Sequence, residues 1–175
     1  MIAAVVLAAG AATRFGAPKQ QLLLGEVLSR LADAPVDEIV VVQGAYPLEL
    51  PTGGRMPARL VACPDWKRGP GASLRCGLAA LTVDTEAAVV VLADGPDIAA
   101  EAMSRVLARW RADAGAVAAS YGGSRGHPVV LGRSAWSDIP DEGLRGREIT
   151  LVPCDDLGAP GDVDEPADLP GRFRP

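Results

Sequence analysis

Short runs of Val, Ala, Ile and Leu recur along the chain with little or nothing polar between them. They occur at Ala3–Leu7, within EIVVVQ at Glu38–Gln43, and in AAVVVL at Ala87–Leu92. Unbroken apolar runs of this length, stopped by loops rich in Gly, Pro or Asp, predict strands buried on both faces. Ala58–Ala62 and Gly115–Ala119 are expected to be strands of the same kind, with Pro128–Leu131 and Glu148–Pro153 as more irregular candidates. Between them the period changes. Leu28 and Leu31 share one face of a short helix expected over Val27–Ala34. Leu74, Leu78 and Leu81 do the same over Ala72–Leu81, a helix entered through Gly-Pro-Gly, and Ala100–Arg111 is a third helical stretch.

Buried strands alternating with helices predict an α/β fold: a three-layer, mostly parallel, Rossmann-like sheet with helices on both faces. No repeat, low-complexity tract or linker interrupts the 175 residues, so residues 1–175 are expected to form a single domain. Composition changes this picture little. With 49% apolar residues but only 4% aromatic ones, the core must be filled by aliphatic side chains and alanine. The net charge of −5, with no basic stripe, argues against a nucleic-acid partner. The apolar run from Ile2 to Ala9 is too short to span a bilayer and has no basic region before it. No membrane segment is expected, and a reducing cytoplasm is the default location. Cys63, Cys76 and Cys154 are odd in number, far apart and without CxxC spacing. A zinc site or disulfide framework is therefore not expected, and the three read as small hydrophobes.

In open parallel sheets, ligands bind beyond the carboxyl ends of the strands. That rule draws attention to the loop after the first strand, to ADGPD after the fourth, and to the loops near Gly69 and His127. The opening stretch, VVLAAGAATRFGAPKQQLLL, spends about ten residues where a simple connection needs two to six. Five residues separate Gly10 from Gly16, and neither a P-loop nor a GxGxxG pattern fits. Small residues let the backbone approach a flat ring or a phosphate closely, while Arg14 and Lys19 supply cations for phosphate oxygens. As residues alone, the loop suits a nucleotide and an ordinary polar connection equally well.

LAAGAATRFGAPK resembles the signature LAAGxSxRxGxxK of the small nucleotidyltransferases that include molybdopterin cytidylyltransferase, the MobA-like NTP transferase domains. GPGASLRCGLAAL is similar to the family's G-x-x-x-SLR-x-GL segment over the base and ribose, and VLADGPDI to its metal-binding LADxPx. RGHPVVL matches its GHP turn, and GDVDEPADL its C-terminal DIDTPEDL. The motifs follow the family's order. The resemblance implies a nucleotide-diphospho-sugar transferase type of fold and a Mg²⁺-dependent transfer of a nucleoside monophosphate from an NTP. The acceptor would be a phosphorylated small molecule such as molybdopterin, with pyrophosphate released. LAAG, where GTP-using relatives read LAGG, favours CMP from CTP.

Carried over by position, the resemblance implies nucleotide binding by Leu7, Ala8, Ala9, Gly10, Arg14, Lys19, Gly71, Ser73 and Arg75. It makes Lys19, Arg14 and Asp94 catalytic, gives the metal to Asp94 and Asp164 with Asp162 as a substitute, and gives the acceptor to His127. Plainer roles stay open for several of these. Asp94 before Gly-Pro suits a turn or helix cap, Ser73 an N-cap, Arg75 a solvated helix face, and His127 a structural position beside Pro128. Asp162, Asp164 and Asp168 suit a surface around Pro166, and the spacing of Trp66, Trp110 and Trp136 suggests packing and no stacking platform. The chain also departs from the family pattern. The helix after Lys19 looks short, Ala12 replaces a common serine, and DEGLRGRE is brief. These departures motivate an alternative: an accessory nucleotide-binding or redox-repurposed relative without transfer activity.

Overall fold

The valines of the central strands are almost wholly excluded from solvent: Val5, Val6, Val40, Val41, Val89 and Val90 are each at most 1% exposed. That requires cover on both sides of the sheet, and a computed structural model, which describes residues 1–174, provides it. The strands are β1 (Ile2–Ala8), β2 (Glu38–Gln43), β3 (Ala58–Ala62), β4 (Ala87–Leu92), β5 (Ala116–Tyr121), β6 (Ser124–Gly132) and β7 (Thr150–Pro153). They form one sheet in the order β3-β2-β1-β4-β6-β5-β7. β6 runs antiparallel to both of its neighbours, and the other pairings are parallel.

Alternation along β1 shows how the layers are built. Ala4, Val6 and Ala8 join the core under α1 (Lys19–Leu31) and α3 (Ala100–Asp113). Ala3 and Val5 face the opposite core, which is covered by α2 (Pro70–Ala79) through Leu74 and Leu78. Gly77 lets α2 lie close to the sheet, since a Cβ there would come within 2.5 Å of Val5 Cγ1 and 2.9 Å of Val42 Cγ2. Beyond the carboxyl ends of β1 and β4 lies the switch point of the strand order, where a doubly wound sheet opens a crevice.

Two expectations are corrected. The first helix begins at Lys19, eight residues before the expected Val27, because Leu23, Leu24, Val27, Leu28 and Leu31 form one continuous buried stripe. Gly25 in its middle sits on the exposed side, where it costs about 1 kcal/mol relative to Ala, less than burial of the leucine stripe contributes. The second correction concerns sulfur. Cys63, just past β3, and Cys76, on α2, are joined in a disulfide with their Cα atoms 5.7 Å apart. Sequence spacing carried no sign of this, because the β3–α2 crossover is what brings the two together. Cys154 is free and buried. Among the described residues, no helix is long and apolar enough to cross a membrane.

Candidate active site

The loop leaving β1 is held in a tight turn. The N–H groups of Phe15 and Gly16 both donate to the Ala12 carbonyl, at 3.0 and 3.1 Å. Ala12 (φ 48°) and Gly16 (φ 77°) occupy the left-handed region to make this possible. The turn presents Arg14 to solvent, and after Pro18 the chain enters α1 with Lys19 as its first residue. Lys19 points inward and is only 5% exposed.

A small apolar cluster explains what Lys19 meets there. Leu23 on α1 packs with Val163 and Leu169, with Phe15 and Phe173 alongside, and so pins the C-terminal GDVDEPADL segment against the opening loop. The Val163 N–H donates to the Asp94 carbonyl at 3.1 Å, tying that segment to the loop after β4. Val163 points into the cluster, so Asp162 and Asp164 on either side of it project the other way. The Lys19 ammonium then sits 3.1 Å from Asp94 Oδ2 and 3.4 Å from Asp164 Oδ1, and it donates to the Val163 carbonyl. Arg14 reaches Asp164 Oδ2 at 2.7 Å. Asp168 turns away from the cluster and accepts from the Asp164 and Glu165 N–H groups, so its job is to shape the segment.

Asp94, Asp162 and Asp164 each bring a carboxylate oxygen to within 4.8 Å of the others. Burial, and then the charges of Asp94 and Asp164, push the Asp162 carboxyl above its ordinary range. Three carboxylates against two cations leave an excess of negative charge. Hard oxygen donors crowded in this way fit a divalent cation such as Mg²⁺, which would relieve the repulsion. Asp94 does not cap α3, whose N-cap is Ala99.

Next to this charged end lies a cleft of about 350 Å³. The sheet side contributes Leu7, Ala9, Gly10 and Leu92, and the β3–α2 connection contributes Trp66, Gly69, Pro70 and Ser73. A smaller hollow of about 170 Å³, bounded by Arg14, Lys19 and Asp164, shares Gly10, Gln20 and Asp94 with it, so the two form one site. One end is apolar and shaped; the other is charged.

The structure brings together Leu7, Ala9, Gly10, Arg14, Lys19, Ser73, Asp94 and Asp164 from the residues singled out in the sequence. Ser73 lies inside α2 and is not its N-cap, which is Gly69. Ala8 is buried in the core under α1 and α3. Gly71 and Arg75 lie on another side of α2. A Cβ at Gly71 would collide with the Pro140 carbonyl, while Arg75 donates to the Ile139 carbonyl and Asp141 Oδ1, both at 2.5 Å. Arg75 also holds the Asp141 carboxyl below its usual range. His127 lines a small separate hollow with Leu92, Gly95 and Pro160. Burial pushes its imidazole down to about 4, Asp94 pulls upward and Arg125 downward, so it is neutral at pH 7.

Sequence reasoning missed several lining residues, Gln20 and Trp66 among them. Gln20 is 5% exposed and donates from Nε2 to the Gly10 carbonyl at 3.1 Å, which fixes the bend at the junction of the two hollows. Its only sequence signal was adjacency to Lys19. Trp66, expected merely to pack, borders the cleft. It reaches this place because Gly44 lies under it: a Cβ at Gly44 would come within 2.7 Å of Trp66 Cγ and of the Ala9 carbonyl oxygen.

A sequence model of the MobA-like NTP transferase domain matches residues 4–150. The chain belongs to that family. The matched span holds the opening loop, α2 and Asp94, while Asp162 and Asp164 come from beyond it. No functionally curated protein sequence matches the chain. Among solved structures, the Rv0371c homologue from Mycobacterium sp. strain JC1 is 28% identical over 95% of this chain and 92% of its own, with a TM-score of 0.76. Rv0371c from Mycobacterium tuberculosis H37Rv is 27% identical over 95% and 94%, with a TM-score of 0.78. Rv0371c has also been solved in complex with manganese. A nucleotidyl transferase from Methanothermobacter thermautotroptrophicus shares the fold at a TM-score of 0.68, with 20% identity over 96% and 94% of the two chains. This MobA-like chain therefore has the fold of the Rossmann-like nucleotidyltransferases.

Proposed function

We propose that this MobA-like chain, acting as a single domain in the cytoplasm, is a Mg²⁺-dependent cytidylyltransferase. It would transfer CMP from CTP to a phosphorylated small molecule such as molybdopterin and release pyrophosphate. One observation carries the reading: Arg14, Lys19, Asp94 and Asp164, drawn from three distant stretches of chain, converge at the charged end of a nucleoside-sized cleft. A structural salt-bridge cluster has no need to adjoin a cleft lined by Ala9, Gly10 and Ser73.

Transfer requires an acceptor phosphate oxygen to attack the α-phosphorus in line with departing pyrophosphate, so the site must chiefly position anions and neutralise charge. Asp94 and Asp164 would hold Mg²⁺, with Asp162 beside them, and the ion supplies charge neutralisation at the α-phosphate. The manganese complex of Rv0371c supports a divalent cation in a related fold. Lys19, whose ammonium lies beside Asp94 and Asp164, would offer its charge to the phosphates. Arg14, on the exposed rim, grips the outer phosphates through its planar fork. Ala9 and Gly10 bring the backbone against the base, and Ser73 offers a hydroxyl to the nucleoside. An acceptor phosphate is already ionised, so a neutral His127 suits contact with the acceptor better than general-base work.

The test is a thermal-shift panel of the four NTPs with and without Mg²⁺, followed by pyrophosphate release with phosphorylated acceptors. Metal-dependent stabilisation by CTP, and release that depends on an acceptor, are the expected results. Nucleotide binding indifferent to Mg²⁺, with no release, would replace this reading with an accessory nucleotide-binding protein.

A further inference from the structure

The charged cluster leaves one pair of reactive side chains unused. Cys63 and Cys76 are 13 residues apart in sequence, and the stretch between them carries Trp66, Lys67, Gly69, Pro70 and Ser73, all of which line the cleft. The backbone hydrogen bonds in the first part of that stretch are local. The N–H groups of Trp66, Arg68 and Gly69 donate to Cys63, Asp65 and Trp66, all within the same turn. Connections to a distant part of the chain are the exposed Arg68 side chain, donating to Asp141 Oδ2 at 3.2 Å, and the Gly71 N–H, donating to the Asp141 carbonyl at 2.9 Å. β3, from which the turn departs, is an edge strand.

We infer that Cys63 and Cys76 are a reversible dithiol–disulfide pair whose oxidation locks the Trp66–Ser73 wall of the cleft and so raises nucleotide affinity. The nucleotide part of this inference rests on the proposed function of the cleft. Both redox states have a place in the fold. Reduced, the Cys63 thiol finds the Ala72 carbonyl 3.6 Å from its sulfur and lies in the apolar core with Val42 and Leu74. Oxidised, the two Cα atoms already stand 5.7 Å apart, inside the range that a disulfide spans. The two sulfurs differ in access. Cys63 is 2% exposed, whereas Cys76 is only partly buried, so exchange begins at Cys76.

The oxidant is a small-molecule disulfide of the glutathione class. The Cys76 thiolate attacks one of its sulfurs, forming a mixed disulfide and releasing one small thiol. The Cys63 thiolate then attacks Cys76 Sγ, closing the protein disulfide and releasing the second small thiol. Two protein thiols are oxidised, one small disulfide is reduced, and the two protons pass to the released thiols. In a reducing compartment such a pair is transient and sensing, not a permanent staple. A wall ordered before the ligand arrives saves the cost of ordering it on binding, so the oxidised form binds nucleotide more tightly. Linkage makes the effect mutual: bound nucleotide favours the disulfide by the same factor.

The experiment equilibrates the full chain in glutathione buffers of graded redox ratio, quenches with acid, and counts thiols by alkylation and mass after unfolding. Three alkylated cysteines under reducing conditions, giving way to Cys154 alone under oxidising ones, is the expected result. CTP with Mg²⁺ should bind the oxidised form about tenfold more tightly, and should move the midpoint of the redox titration to match. Cys76→Ser should bind CTP like the reduced form at every ratio. Three free thiols at all ratios, or a disulfide that no ratio opens, would overturn the inference, as would equal CTP affinity in the two forms. If no nucleotide binds either form while the thiol count still moves from three to one, the nucleotide reading of the cleft fails and the redox pair stands. In that case the melting temperature, higher in the oxidised form, reads the lock alone.

Discussion

The two ends of the site are built on different physics. At the charged end, Lys19 is buried among Asp94, Asp164 and the Val163 carbonyl, and no single element supplies the group. At the cleft end the lining is mostly uncharged, through Ala9, Gly10, Trp66, Pro70 and Ser73, with Lys67 beside them. The charged end exists only because the C-terminal segment docks through Val163 and Leu169, and an ion pair is long-ranged enough to need only approximate placement. Shape is less forgiving. A Cβ added at Gly44 would come within 2.7 Å of Trp66 Cγ and the Ala9 carbonyl oxygen, so one extra carbon there must displace the wall. Substitutions at the first end should therefore alter rate and metal dependence, and those at the second should alter selectivity.

The largest effect is expected for Lys19→Ala. Removing a cation aimed at developing charge should lower turnover by about 10²–10³-fold. It also leaves Asp94, Asp162 and Asp164 facing one another without their buried counter-ion, so the variant should melt lower in EDTA and regain part of the loss in Mg²⁺. Initial rates and melting curves in both conditions check this. A melting loss independent of metal, with near-normal turnover, would break the contrast drawn here.

Asp94→Asn keeps the shape and removes one charge. CTP binding in this variant should lose most of its Mg²⁺ dependence, read by titrating CTP at several Mg²⁺ concentrations. Normal turnover with a normal Mg²⁺ requirement would show that Asp94 holds no metal.

Ala9→Gly tests the other end. A small steric misfit is worth roughly one to three kcal/mol, so the wild type should prefer CTP over GTP by about ten- to a hundredfold in kcat/KM. The variant should narrow that gap by admitting GTP, with CTP little changed. A wild type that prefers GTP, or an unchanged ratio in the variant, would show that the bend does not select the base.

The smallest effect concerns His127 and stability. Its folded pKa of about 4 lies below the ordinary 6.5, so between these values the unfolded chain binds the proton and the folded one does not. Stability therefore falls as pH drops through about 6.5 toward 4, and is unaffected by this group above that window. His127→Gln should flatten the fall in melting temperature over that interval while leaving it unchanged at pH 8. An identical pH profile in the variant would mean that the imidazole titrates normally.

Much of this is legible in the amino-acid sequence. The apolar runs of β1, β2 and β4 are long enough, and uniform enough, to demand a sheet covered on both faces. Ligand sites in such sheets follow the strand ends, so Gly10, Arg14, Lys19 and Asp94 stood out by position. Motif order added Asp164, although Asp162 and Asp164, flanking one buried valine, could not be ranked by spacing alone.

Contacts between distant segments were not legible. That Lys19 is buried depends on a segment 144 residues further along the chain, held by a cluster whose members are unremarkable one at a time. Arg75 sits in a motif that resembles a nucleotide-binding one, yet the 139–143 segment packs against its side of α2 and takes its guanidinium for Asp141. Cys63 and Cys76 read as separate hydrophobes because no spacing rule encodes a strand-to-helix crossover. Local pattern determined which elements form, since periodicity and turn chemistry act over a few residues, while the ends of α1 and β6 were set by packing. Which side chains meet at those ends was decided by packing, because that depends on the shape of the whole core.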